Sequence, residues 1–134
     1  MRPKVYVSGP ISSSGTYLSN AAFAIEVAEH LMMAGFAPYC PQLTTFMFIG
    51  RHHTVSHELW MECDESWIRS MDPEMDYMIR LYGRSVGGDI ETEWAREMGM
   101  RVFHALSSVT ARTVVGYFCR WTEPEAAYKG GCET

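Results

Sequence analysis

The chain has 134 residues, 47% of them hydrophobic and 20% charged, which suits one packed domain and excludes a disordered segment. Sixteen acidic against eleven basic side chains give a net charge of -5, which disfavours a non-specific nucleic-acid binder. A small anionic ligand remains admissible, because backbone amides and a few local charges can hold a phosphate against the overall field.

In chain order, Lys4 to Ser8 reads KVYVS and predicts a buried strand stopped by Gly9-Pro10. Leu18, Ala21, Ala22, Ile25, Ala28, Leu31 and Met32 recur at helical spacing from about Tyr17 to Ala34, and Gly35 supplies a stop. Phe36 to Cys40 predicts a second strand. The stretch from Gln42 to Val55, with Phe46, Met47 and Phe48, is long and apolar for a connection and suggests a binding loop or a subunit contact. Ser56 can cap a helix reaching about Met71, with Leu59, Trp60, Cys63, Trp67 and Ile68 along one face. Asp76 to Leu81 predicts a third strand and Tyr82 to Gly88 a glycine-rich loop. Ile90 to Met98 predicts a helix ended by Gly99, and Arg101 to Leu106 a fourth strand. One more element is expected around Thr113 to Trp121, with a frayed tail from about residue 122.

Strands alternating with helices at this pitch imply parallel βαβ units. The expected fold is a single α/β domain over residues 1–134, with a flavodoxin-like or Rossmann-like parallel sheet covered by helices on both faces. Ligands of such sheets lie beyond the carboxyl ends of the strands. No run approaches the roughly 20 apolar residues that cross a bilayer, so no membrane partner is expected. Met1 to Lys4 shows no secretory h-region, and Cys40, Cys63, Cys119 and Cys132 form no CxxC pair, so reduced thiols in a cytoplasm are expected.

Three groups of residues could carry chemistry. The loop Ser8-Gly9-Pro10-Ile11-Ser12-Ser13-Ser14-Gly15 lets the backbone and hydroxyls approach a sugar or phosphate, though it also reads as a plain polar turn. Ser85-Val86-Gly87-Gly88-Asp89-Ile90-Glu91 leads into a helix whose first turn would carry Glu91 toward the crevice, with Asp89 and Glu93 pointing elsewhere. The acids could instead simply favour a helix N-terminus. Asp64 lies beside Glu62 and Glu65, which on local grounds marks a solvated outer face. His52, His53 and His57 lack supporting ligands at metal-binding spacing, so no metal is expected.

Three segments, in order, resemble the nucleoside 2-deoxyribosyltransferase superfamily, and most closely its deoxynucleoside 5'-monophosphate N-glycosidase branch. They are Val5-Tyr6-Val7-Ser8-Gly9-Pro10-Ile11, Asp64-x-x-Trp67-Ile68-x-x-Met71-Asp72, and Ser85-x-Gly87-x-x-x-Glu91-x-x-x-Ala95. The resemblance spans about Val5 to Phe103. It implies that Glu91 is the nucleophile on the anomeric carbon, Asp64 the acid/base, and Tyr6 the residue positioning Glu91. It implies sugar or phosphate binding by Ser8, Gly9, Ile11, Ser12, Ser13, Ser85 and Gly87, with no metal or redox cofactor. The first loop carries Ile11-Ser12-Ser13-Ser14 where monophosphate-specific members tend to have an arginine.

The activity so implied is hydrolysis of the N-glycosidic bond of a nucleoside or nucleotide. A base-exchanging transferase and a non-catalytic nucleotide-binding module are the alternatives. The resemblance also implies a homodimer, with a partner subunit contributing a residue near Ser107, Ser108 or Thr110.

Overall fold

A computed structural model describes residues 1–11, 17–43, 55–107 and 109–123. Four strands, β1 (Lys4–Ser8), β2 (Ala37–Tyr39), β3 (Tyr77–Arg80) and β4 (Arg101–His104), alternate with α1 (Tyr17–Met33), α2 (His57–Arg69), α3 (Val86–Glu97) and α4 (Ala111–Thr122). The strands form one parallel sheet in the order β2-β1-β3-β4. Chain direction across the sheet therefore reverses between β1 and β3, the place where such sheets open a crevice at their carboxyl ends.

Side chains alternate across each strand, so β1 and β3 feed two cores. Val5, Val7, Tyr77 and Ile79 face α1 and α4, meeting Ala24, Val27, Leu31, Val114, Val115 and Phe118. Tyr6 and Met78 face α2 and α3, meeting Ile68, Met71 and Ala95. The amino end of the sheet is pinned by buried Asp76, which accepts from the Lys4 and Asp72 amides at 2.8 Å each. Gly35 (φ 99°) and Gly99 (φ 80°) end α1 and α3 in the left-handed conformation, as their positions predict.

Several expectations need correction. The helix expected from Ile90 begins at Val86, because Ser85 caps it by accepting from the Gly88 amide at 2.9 Å. Gly87 and Gly88 therefore belong to its first turn, and Glu91 sits beyond that turn. The α1 stripe is rotated: Ala24 and Val27 are buried, while Leu18 and Met32 are exposed. On α2, Leu59, Cys63 and Trp67 are exposed, and Asp64 is buried with Ile68. Cys40 and Cys63 are free thiols, but Cys119 is disulfide-bonded, contrary to the expectation of four reduced thiols. Ser12, Ser13, the Phe46–Ile49 segment, Ser108 and the tail beyond 123 lie outside the described residues. Among the described residues no helix is long and apolar enough to cross a membrane.

Candidate active site

The site is built on a stripe that α2 carries at helical spacing, Trp60, Asp64 and Ile68, continued by Met71 just past the helix end. Ile68 and Met71 pack against Tyr6 and Met78 on the sheet, and that packing draws Asp64 inward. On α3, the residues turned inward are Gly88, Glu91, Thr92 and Ala95. Most are small, so α3 lies close over the ends of β1 and β3. A Cβ at Gly88 would come within 2.9 Å of the Arg80 guanidinium carbon. The two helices pack side by side, and their two carboxylates meet over β1.

Glu91 is 5% exposed and Asp64 8%. The Tyr6 hydroxyl donates to Glu91 Oε2 at 2.7 Å and the Ser8 hydroxyl donates to Oε1 at 2.7 Å. One neutral donor on each oxygen fixes the carboxylate plane and stabilises its charge without neutralising it. Asp64 hydrogen-bonds Glu91. Burial, then the Glu91 charge, then that hydrogen bond push the Asp64 carboxyl up to about 8. At neutral pH Asp64 thus retains its proton beside Glu91. Tyr6 is held far above its ordinary value by burial and by the charges of Glu91 and Asp64, so its hydroxyl stays a donor. Among the described residues no arginine or lysine pairs with either carboxylate. A buried acid pair without a cation is costly for folding, and strongly perturbed acids of this kind concentrate at functional sites.

An aromatic ladder leads outward from this pair. Tyr39 lies 5.4 Å from the Tyr6 ring and stacks on Trp67 at 5.2 Å, with an interplanar angle of 26°. Burial and then the Asp64 charge raise the Tyr39 hydroxyl as well. Trp67 is 56% exposed, so the ladder ends at the surface.

The loop between β3 and α3 is organised by Arg80, a buried cation at the end of an apolar strand. Its guanidinium donates to the carbonyls of Leu81 and Gly83 and pairs with Asp89 at 3.1 Å. Gly9 lies buried against Leu81, and the Ile11 carbonyl accepts from the Asn20 side chain at 2.8 Å. The ends of β1 and β3 are therefore held close together near Glu91.

A family model matches residues 3–104, from the residue before β1 to the end of β4. The chain belongs to DUF4406, a family described as a domain of unknown function. No curated protein and no solved structure matches the chain. The DUF4406 segment includes Tyr6, Ser8, Asp64, Ser85 and Glu91, whereas α4 lies beyond it.

Of the residues singled out in the sequence, the fold joins Glu91, Asp64, Tyr6 and Ser8 in direct contact. Gly9 and Ile11 lie on the turn after β1, and Ser85 and Gly87 are the N-cap and first turn of α3. Ser8 and Ser85 are already engaged: one hydroxyl holds Glu91 and the other caps α3. His57 forms no cluster with other potential ligands, and no metal-binding group occurs among the described residues. Sequence reasoning missed Tyr39 and Arg80. For Arg80 a signal existed, since a lone cation in the apolar run Tyr77-Met78-Ile79-Arg80-Leu81 must find buried acceptors.

Proposed function

We propose that this protein hydrolyses the N-glycosidic bond of a nucleoside or nucleoside 5'-monophosphate, with 2'-deoxy sugars as the first class to test. The observation that carries the reading is the uncompensated buried pair Asp64–Glu91, with Glu91 gripped by two neutral hydroxyls at the carboxyl ends of parallel strands. Cleavage of such a bond builds positive charge on the sugar. An oriented anion beneath the anomeric carbon stabilises that charge and can capture it.

In the first step a Glu91 oxygen bonds to the anomeric carbon as its bond to the base nitrogen breaks. The bonding pair leaves with the base, and Asp64 supplies the proton that the nitrogen takes up. In the second step a water oxygen attacks the same carbon and the ester to Glu91 breaks. Asp64 accepts the water's proton, so both carboxyl groups return to their starting state. A carboxyl pushed up to about 8 is suited to both roles near neutral pH. We assign the sugar to the crevice between the Gly9–Ile11 turn and Ser85–Gly87, and the base to the side of Tyr39 and Trp67.

The test is a panel of nucleosides and 5'-monophosphates assayed for free base by chromatography, with Glu91→Gln as control. The expected result is base release by the wild type, reduced by about 10²-fold to 10³-fold or more in the variant. Base exchange in the presence of a second free base would identify a transferase using the same intermediate. Absence of release from every compound, with nucleotide binding unchanged by the substitution, would overturn the catalytic reading.

A further inference from the structure

Arg80 is the last residue of β3, and its main chain is fixed on both sides. Its carbonyl accepts from the Ala105 amide at 2.9 Å, and the next amide, that of Leu81, donates to the Ser8 carbonyl at 2.7 Å. The hydroxyl of the same Ser8 holds Oε1 of Glu91. From this fixed point the Arg80 side chain, 8% exposed, crosses from the sheet to the start of α3. Its guanidinium donates to the carbonyls of Leu81 and Gly83 and, at 3.5 Å, to that of the N-cap Ser85. It pairs with Asp89 of the first turn, and it fills the space that the missing Cβ of Gly88 leaves.

Stability alone does not account for a cation here. A positive charge at a helix N-terminus opposes the macrodipole, and a buried charge gives up its hydration. Asp89, its ionic partner, is 78% exposed, so that pair returns little. What the guanidinium has is shape: a planar fan of donors that reaches several carbonyls of one loop at once. Loop, cap and first turn of α3 are thereby tied to the sheet. Glu91 is the next inward-facing residue of α3 after Gly88, and it meets Asp64 only while α3 keeps its rotation and height over β1.

We propose that Arg80 is a positioning residue, which sets Glu91 against Asp64 by clamping the β3–α3 loop and the start of α3 to the sheet. That placement can be read without any substrate, whereas its consequence for base release rests on the activity proposed above. A reacting group misplaced by about 1 Å can lose about a hundredfold in rate, so the clamp matters even where the fold survives its removal.

Two variants test it. Arg80→Met keeps an apolar stem and removes the donors, and Arg80→Lys keeps the charge without the fork. Carbon-13 NMR titration of the Asp64 carboxyl reads its contact with Glu91, whose charge and hydrogen bond help to hold that carboxyl up to about 8. Tyr6 of β1 and Tyr39 of β2 also face Asp64, but both hydroxyls are raised above their ordinary value and stay protonated through this range. Displacement of Glu91 should lower the Asp64 titration by about one pH unit or more in Arg80→Met, and by less in Arg80→Lys. Loss of a neighbouring positive charge alone would raise it, so the sign separates positioning from a direct charge effect. Phe118→Leu loosens the opposite face of the sheet and should leave the titration where it is. In base release, Arg80→Met should lower kcat by about tenfold to hundredfold with KM little changed. An Asp64 titration unchanged or raised in both Arg80 variants, or an equal fall in Phe118→Leu, would overturn the proposal. A lowered titration in a chain that releases no base from any substrate would uphold the clamp and remove only the activity.

Discussion

The two faces of the sheet are built on opposite plans. Under α1 and α4 the core is dry and aromatic: Phe118 is fully buried and packs edge-on against Phe36, Tyr77 and Phe103 at 5.2, 5.4 and 5.7 Å. Under α2 and α3 the apolar cluster is small, and beyond it the buried side chains are Ser8, Asp64, Arg80, Ser85, Glu91 and Thr92. One face supplies stability and the other spends part of it holding polar groups at the carboxyl ends of the strands. Substitutions on the two faces should therefore fail in different ways, and the following outcomes test that division.

The largest effect on catalysis after Glu91 is expected at Asp64. Asp64→Asn should slow base release by about 10²-fold to 10⁴-fold and remove the alkaline limb, near pH 8, from the rate profile. Stability should move the other way. The Asp64 carboxyl titrates higher in the folded chain than its ordinary 3.8, so its contribution is whole below that pH and is lost as pH rises through about 8. Thermal melts at pH about 5 and about 9 should show the asparagine variant gaining more at the higher pH, by ~1–2 kcal/mol. A uniform loss at both pH values would contradict the account of a strained acid pair.

On the opposite face, Phe118→Ala should cost about 3–5 kcal/mol in urea unfolding and leave the pH profile of the folded fraction unchanged. A shifted profile would mean the two faces are coupled. Tyr6→Phe keeps the ring and removes only the hydrogen bond to Glu91 Oε2. A tenfold to hundredfold fall in rate is expected together with a loss of ~1.5–3 kcal/mol in urea unfolding, since a buried hydrogen bond to a charged group contributes about that much. Gly88→Ala forces a methyl against the Arg80 guanidinium at 2.9 Å. Its cost should be the smallest, ~1–3 kcal/mol, read by denaturant melts, with the β3–α3 loop disturbed first.

Much of the architecture was legible because local periodicity carries it. Lys4–Ser8 and Tyr77–Arg80 are short β-rich runs closed by turn residues, and Gly35 and Gly99 mark helix ends by their backbone freedom. The start of α3 was misread because two glycines suggested a loop, whereas the Ser85 hydroxyl nucleates a helix through them. Asp64 was misread for a different reason. Its acidic neighbours Glu62 and Glu65 suggested solvent, yet its place between Trp60 and Ile68 on one stripe was the better guide.

The sequence alone determined a parallel α/β sheet, its order of elements and the candidate acids, because strand and helix periods and turn chemistry are properties of neighbouring residues. Only the tertiary structure decided that Asp64 and Glu91 are buried against each other, that Ser8 and Tyr6 each hold one oxygen of Glu91, and that Arg80 is enclosed. Burial and hydrogen bonding depend on what packs opposite a side chain. Here that was fixed by α2 and α3 closing together over β1, which no local stretch of the chain encodes.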